Sequence, residues 1–193
     1  MNKKEMFKNE LEYIKNENYR KSAENLLDQV PEYFFEVPAS STGKYHPSFS
    51  NGEKGLVRHT KVAMKIAKDI LDLEYLNQKF TENEKDLLLI AIMFHDSQKL
   101  GNPKEKYTRF DHPLLAAKFI KENQNKTTFS EEEINLISQT ISSHMGQWNK
   151  NNYSDINLPK PSNKYEFFVH MCDYLSSKKY LDVKFDENSN IIL

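Results

Sequence analysis

The feature that most constrains the fold is an unbroken apolar run from Leu87 to Phe94. Thr81 precedes it, with Glu84 three residues later, which is the spacing of a capping box at the start of a helix. A helix that is apolar on all sides must be covered by other elements, so the run predicts a central buried helix. It is much shorter than the ~20 residues needed to cross a bilayer, and no membrane span is expected.

Helical periodicity dominates most of the remaining chain and predicts a nearly all-α fold. Apolar residues recur at helical spacing through residues 6–14 and 56–73. Ser130 and Glu133 form a second capping box, and Asn163 is expected to begin a late helix. The 193 residues suit one domain, because single cores typically take roughly 100 to 200 residues.

The C-terminal tail is the exception to this helical pattern. Val183 and Phe185 are separated from Ile191 and Ile192 by a polar stretch. Two short apolar segments around a turn are typical of a hairpin. The fold class is therefore predicted to be an all-α bundle with a small C-terminal β-hairpin.

Residues 38–55 interrupt the helical pattern with a stretch rich in Ser, Gly, Pro and Asn. The stretch shows no period and is predicted to be a long ordered loop. Long loops inside compact domains are often functional, and His46 lies within this one.

Composition excludes several classes of protein. The formal charge of −1 disfavours a protein that binds long nucleic acid mainly by bulk charge. Five glycines without a Gly-rich loop disfavour the common nucleotide-binding fingerprints. One cysteine, Cys172, and an N-terminus without a signal-peptide pattern favour a cytoplasmic protein.

Several polar side chains occupy positions where the periodicity predicts burial. His95 and Asp96 follow the central helix, His59 and His144 lie on apolar stripes, and Asp173 lies within a late apolar stretch. Taken singly, each histidine could be a hydrogen-bonded core residue and Asp173 a buried ion-pair partner. Together they favour a shared metal site, because buried polar groups without partners cost several kcal/mol.

These residues resemble the HD-domain superfamily of metal-dependent phosphohydrolases over about residues 43–181. The opening Gly-Leu-x-x-His-Thr element of some members is similar to residues 55–60 (GLVRHT). The His-Asp-x-x-Lys element is similar to residues 95–99 (HDSQK), and the closing Ala-Asp-x-Leu-x-Ser element to residues 172–177 (CDYLSS). The resemblance implies that residues 1–193 form a single HD-domain helical bundle.

Two further histidines, His112 and His144, extend the resemblance to the subgroup that binds two metals. In that subgroup His59, His95, Asp96 and Asp173 would hold one ion. Asp96, as the bridge, would hold the second with His112 and His144. His112 has an alternative as a solvent-facing residue at a helix start capped by Asp111. One or two divalent transition-metal ions are expected, and such ligands suit Mn, Fe, Co, Ni or Zn equally.

The resemblance implies hydrolysis of a phosphoester or phosphoanhydride bond. Divalent ions lower the pKa of bound water and neutralise charge on a phosphoryl group. Asp96 and Lys99 are the predicted catalytic residues, with Lys99 acting as a point charge on phosphate. The expected partner is a small phosphorylated substrate, most simply a nucleotide. Neither long nucleic acid nor a membrane is expected, and a homo-oligomer is left open.

Further substrate contacts are predicted at Lys44, His46, Arg58 and Trp148. His46 resembles a histidine that precedes the opening motif in exonuclease-like members of the family, with an ordinary surface-loop histidine as an equal alternative. Trp148 is expected on a loop after a helix ended by Gly146, where its indole could stack on a base; an ordinary packing tryptophan is the alternative. Other functions stay open: a 3′-end exonuclease or oligonucleotide phosphodiesterase, and a di-iron oxygenase on the same scaffold. A catalytically idle binding module is disfavoured because all six ligands are present.

Overall fold

The computed structural model describes residues 2–44 and 46–192. The described residues form a helical bundle, as predicted. Short 3₁₀ turns join some of its elements, including residues 48–50 and 146–148. The α-helices are, in chain order, α1 (Lys3–Met6), α2 (Lys8–Leu11), α3 (Glu17–Gln29), α4 (Gly55–Asp72), α5 (Glu74–Asn77), α6 (Glu82–Phe94), α7 (His112–Glu122), α8 (Glu131–Ser142) and α9 (Lys164–Ser176).

Helix α6 is the buried centre of the bundle. All its residues from Lys85 to Phe94 are buried, and it packs against α4, α8 and α9. The capping box at its start is complete: Glu84 N donates to Thr81 Oγ1 at 3.2 Å, and Thr81 N donates to Glu84 Oε2 at 2.7 Å. The predicted central helix is confirmed. In the described chain, no helix combines the length and apolarity needed to cross a membrane.

The other predicted helix starts are also confirmed. Ser130 and Glu133 form the second capping box, at the start of α8. The Asn163 side chain accepts from the backbone N–H groups of Tyr165 and Glu166 and caps α9. Each cap satisfies amide groups that have no partner inside the helix, so these boundaries follow from local chemistry.

The loop before α4 has a close backbone contact that requires glycine. A Cβ built on Gly55 would lie 2.1 Å from the carbonyl oxygen of Ser50 and 3.0 Å from Cα of Pro38. Leu56 N donates to Val37 O at 2.9 Å. The long loop is therefore closed against the first turn of α4, which brings His46 towards that helix.

The predicted C-terminal β-hairpin is wrong. Within the described residues, this segment shows a single bridge, between Phe185 and Ile191. The Asp186 carboxylate accepts from the N–H groups of Asn188 and Asn190 and dominates the turn. A two-stranded ladder is marginal by itself. Side-chain anchors hold the segment instead, since Phe185 packs on the Phe49 ring with centroids 5.6 Å apart.

Candidate metal centre

Five separate parts of the chain deliver the six predicted metal ligands to one place. His59 lies on α4, His95 and Asp96 follow α6, and His112 is the first residue of α7. His144 comes just after α8, and Asp173 lies in the last turns of α9. The side chains of these six residues are buried except that of Asp173, which is 21% exposed. The cluster therefore reaches solvent on the side of Asp173.

Asp173 and one oxygen of Asp96 face the same two histidines, His59 and His95. Asp173 Oδ1 lies 3.0 Å from His59 Nε2 and 3.4 Å from His95 Nε2. Asp96 Oδ2 lies 3.4 Å from His95 Nε2 and 3.8 Å from His59 Nε2. The facing nitrogen and oxygen atoms of these four side chains therefore form one group.

The second oxygen of Asp96 faces the remaining histidines. Asp96 Oδ1 lies 3.1 Å from His112 Nε2 and 3.8 Å from His144 Nε2. The two nitrogens are themselves 3.2 Å apart. Asp96 thus separates two groups of nitrogen atoms, which is the arrangement of a bridging ligand.

Backbone contacts determine which nitrogen of each ring faces the centre. Each of three rings has its Nδ1 close to the backbone carbonyl oxygen of the residue three positions earlier. The distance is 2.7 Å in His95 and His144 and 2.6 Å in His112. A carbonyl can only accept, so Nδ1 carries the proton and a neutral ring presents the lone pair of Nε2. These Nε2 atoms all point into the cluster.

His59 obtains the same orientation from a serine. Its Nδ1 lies 3.2 Å from Ser176 Oγ, whose own proton is donated to the Asp173 carbonyl oxygen at 2.7 Å. The hydroxyl is therefore the acceptor for His59 Nδ1–H. Such outer contacts orient metal-binding histidines in known sites.

Two acceptor atoms of the cluster lack donors, which fits a site for cations. His95 Nε2 and Asp96 Oδ1 are buried and have no hydrogen-bond partner in the part of the chain that the structure describes. Two overlapping groups have ligand atoms within 4.8 Å of one another: His59, His95 and Asp173, and His95, Asp96 and His144. Nitrogen and carboxylate ligands without thiolate suit divalent transition metals.

Electrostatics favour ionised carboxylates at neutral pH. Burial alone would raise the pKa of Asp96, but Lys99 and His95 hold it well below its usual range. Burial likewise opposes ionisation of Asp173, but His59 and His95 hold its pKa well below the usual range. Negative charge thus persists at the centre of the cluster.

The histidines respond differently to this environment. Burial lowers the pKa of His144 to about 3 and also lowers that of His59. Burial opposes charge on His95 too, yet the carboxylates of Asp96 and Asp173 raise its pKa. Neutral imidazoles at His59 and His144 are the form that binds metals.

Lys99 lies at the cluster, on the bridging carboxylate. Its buried ammonium donates to Asp96 Oδ2. The predicted catalytic lysine is therefore beside the predicted ligands, and it compensates part of the carboxylate charge.

His46 also borders the cluster. Its ring packs edge-on against His59, with centroids 5.0 Å apart, and burial lowers its pKa to about 3. Its Nδ1 is buried without a hydrogen-bond partner in the described structure. A neutral imidazole with a free polar atom therefore lies next to one of the predicted ligands.

Two of the other predicted substrate contacts, Arg58 and Lys44, lie at the start of α4 and on the loop before it. The Arg58 guanidinium donates to the carbonyl oxygens of Phe49 and, at 2.8 Å, Asn51, so it fastens the loop before α4. Lys44 is exposed on that loop, and its role stays a prediction.

Trp148 lies outside the hydrophobic core and is 47% exposed. The expectation that Gly146 ends the preceding helix is wrong, because α8 ends at Ser142 and Gly146 begins a 3₁₀ turn. Its φ of +59° explains the glycine. His144 therefore lies on the turn between the two elements and not on α8 itself.

The expected cap of α7 is also wrong. Asp111 occupies the N-cap position without a side-chain cap bond, because its carboxylate pairs with the Arg109 guanidinium, at 2.7 Å between Oδ2 and Nη2. The solvent-facing alternative for His112 is likewise wrong, since His112 is 3% exposed.

Sequence reasoning missed the roles of two residues that position the predicted ligands. Ser176 orients His59, and its place in the closing motif was the available signal. Arg109 supplies the carbonyl that orients His112; nothing in its local sequence indicates this role, because the contact depends on how the loop before α7 folds.

One family model matches the chain. The model, described as HD domain, matches residues 46–178, which is more than half of the chain and includes all six clustered residues. No curated protein and no solved structure gave a significant match.

Proposed function

The chain belongs to the HD-domain family, and we propose that it is a metal-dependent phosphohydrolase acting on a nucleotide or similar small phosphorylated substrate. The observation that carries the proposal is the convergence of four Nε2 atoms and two carboxylates in one cluster, in which His95 Nε2 and Asp96 Oδ1 have no hydrogen-bond partner among the described residues. HD domains are typical of metal-dependent hydrolases, which supports the reaction class.

We assign the ligands in two sets that share Asp96. His59, His95 and Asp173 would complete one site, whereas His112 and His144 would complete the other. Divalent ions bound there would supply a nucleophile from water at neutral pH and neutralise charge on the phosphoryl group. Which of Mn, Fe, Co, Ni or Zn is bound does not follow from these ligands.

The surrounding residues have roles that need no assumption about the ion. Lys99 holds an ammonium at Asp96 Oδ2, and we assign it the role of a point charge on the phosphate. His46 offers a buried, free Nδ1 beside His59, so it can contact the substrate or the leaving group. Asp173, 21% exposed, lies on the side from which substrate would enter.

A substrate panel tests this function. The purified protein is assayed with nucleoside mono-, di- and triphosphates, dinucleotides and short oligonucleotides, each with Mn, Co, Ni and Mg in turn. We expect metal-dependent release of phosphate or nucleotide, abolished in Asp96→Asn and retained in the exposed control Asp69→Asn. A product formed only from the 3′ end of oligonucleotides would indicate the exonuclease, and activity that requires iron and oxygen would indicate the oxygenase.

Absence of hydrolysis with every substrate and metal would contradict the proposal. So would activity that survives in Asp96→Asn, because Asp96 is the one carboxylate shared by both sets of nitrogen atoms.

A further inference from the structure

A groove of about 510 Å³ lies beside the metal centre, outside the cluster itself. One wall is the 3₁₀ turn at residues 146–148, and the other is a face of α9. Its volume lies in the range of small-molecule sites, roughly 300–1,000 Å³. The lining residues used below are Gln147, Trp148, Lys160, Phe167, His170 and Tyr174.

The groove exposes an unusual amount of aromatic surface. Trp148 stacks on Tyr174, with centroids 5.5 Å apart and planes at 25°. The Lys178 ammonium lies 3.1 Å from the centroid of the Tyr174 ring, so Tyr174 already has protein groups against it. Trp148 remains 47% exposed and Phe167 53% exposed. The open aromatic surface of the stack therefore belongs mainly to Trp148.

The groove neighbours the predicted ligands, although none of the six lines it. His170, on the groove wall, lies with Nδ1 2.7 Å from the carbonyl oxygen of His144. Tyr174 directly follows Asp173, the most exposed residue of the cluster. The ligand proposed below therefore has two parts, an anionic group for the cluster and a second group for the groove.

The polar side chains of the groove suit a heterocycle. Gln147 and Lys160 are exposed on the lining, and they offer an amide and an ammonium to ring carbonyl or nitrogen atoms. A flat ring with polar edges can satisfy both at once while stacking on indole, whereas an aliphatic chain would leave them unpaired.

We propose that this groove binds the nucleobase of a substrate nucleotide, with the base stacked on Trp148 and its edge facing Gln147 and Lys160. The inference rests on the proposed function for the position of the phosphate. It adds the part of the substrate that is recognised and the residues that recognise it.

Trp148 is the single tryptophan of the chain, so its fluorescence reports on the groove directly. The protein is titrated with adenosine and uridine 5′-monophosphates, with adenosine, and with ribose 5-phosphate. We expect saturable quenching by both nucleotides and by adenosine, and none by ribose 5-phosphate, which has no base. Free N-acetyltryptophanamide, measured in parallel, gives the linear collisional quenching to be subtracted.

Calorimetry with variants tests the role of the stack. Trp148→Leu should weaken binding of the nucleotides at least about fivefold, given the typical strength of base–aromatic stacking, and leave ribose 5-phosphate unchanged. Tyr75→Leu, an exposed aromatic on α5, serves as the matched control and should bind like wild type. Lys160→Gln changes the surface of the groove but leaves the aromatic stack intact. It should also weaken the binding of the nucleotides and leave the binding of ribose 5-phosphate unchanged.

Binding that does not depend on the base, or equal binding by wild type and Trp148→Leu, would overturn the inference. If Trp148→Leu fails to fold, the fluorescence quenching of wild type and the nucleotide binding of Lys160→Gln still test the inference. Neither readout needs turnover, and adenosine needs no phosphate site. If the protein proves not to be a hydrolase, these binding results still stand. The failure of the proposed function and the failure of this inference can therefore be told apart.

Discussion

The Nε2 atoms of His112 and His144 lie 3.2 Å apart, and the other nitrogen of each ring faces a backbone carbonyl oxygen. When both rings are neutral, their Nε2 atoms therefore present lone pairs to each other. Two lone pairs at this distance repel unless a proton or a metal ion lies between them, and Asp96 Oδ1 is 3.1 Å from His112 Nε2. The pair is thus the clearest indication that the cluster is built for a cation.

The first prediction separates the two proposed ions. His112→Ala should remove one of two binding steps when Mn²⁺ is titrated into metal-free protein, because His59, His95 and Asp173 still hold the other ion. His46→Ala is the control and should retain both steps, since His46 is not among the predicted ligands. Two unchanged steps in His112→Ala would show that His112 is not a ligand.

The second prediction concerns the turn that carries His144. A Cβ on Gly146 would lie 2.1 Å from His170 Cε1, and the glycine has φ of +59°. Gly146→Ala should therefore destabilise the fold by more than the roughly 1 kcal/mol of left-handed backbone strain alone, and should weaken metal binding at His144. Urea unfolding and metal titration measure the two effects.

Gly52→Ala is the matched control for this change. Gly52 also has positive φ, +68°, but no atom lies within 4 Å of its Cβ position. Gly52→Ala should lower the free energy of unfolding by the cost of the left-handed backbone alone and should leave metal affinity unchanged. Adding His170→Ala to Gly146→Ala should restore part of the lost stability, and failure to do so would contradict the proposed clash.

The third prediction is a pH dependence of stability in metal-free protein. Burial lowers the pKa of His144 to about 3, so below pH ~6.5 the unfolded chain binds a proton there that the folded chain does not. Stability therefore falls with falling pH through this window, by up to about 2 kcal/mol between pH 7 and pH 5 for one such histidine.

His144→Gln isolates this contribution from the other histidines, including His95, whose raised pKa acts in the opposite sense. Urea unfolding in chelator at pH 7 and pH 5 should show a smaller loss for the variant than for wild type. Equal losses would mean that His144 is not buried in its neutral form.

The fourth prediction concerns a buried ion pair that includes none of the six predicted ligands. Lys61 Nζ lies 3.5 Å from Glu10 Oε2, and both side chains are almost completely buried. Burial raises the pKa of Glu10 and lowers that of Lys61. Lys61→Met would leave the Glu10 carboxylate buried without its cation, at a cost of about 3–5 kcal/mol in unfolding free energy.

The double variant Lys61→Met with Glu10→Leu should recover most of that loss, because neither charge remains buried. Urea unfolding of both variants and of Glu10→Leu completes the cycle. If the double variant is no more stable than Lys61→Met, the loss comes from packing or from the 2.8 Å hydrogen bond between Lys61 and Asn190.

Much of the fold and of the cluster follows from local sequence. The capping boxes and the apolar run define α6 and α8 by themselves, since each depends on residues within one or two turns. The burial of His59 and His144 follows from their places on apolar stripes. The resemblance of residues 95–99 to a family motif then supplied the grouping of the ligands.

Other features depend on contacts that local sequence does not encode. Arg58 stays a predicted substrate contact, and its guanidinium also binds loop carbonyls that only the folded loop brings together. The tail has alternation that suits a hairpin, but Asp186 forms a local turn and Phe185 is held by Phe49. The partners of a polar side chain are set by tertiary structure, so pattern alone predicts its burial better than its role.

The metal content of the purified protein tests the central claim most directly. Elemental analysis of wild type should find about two divalent transition-metal ions per chain, and Asp96→Asn, measured in parallel, should have lost both because Asp96 faces both groups of nitrogen atoms. A wild-type protein that is free of metal yet fully active, or an Asp96→Asn variant that keeps its full metal content, would contradict the account.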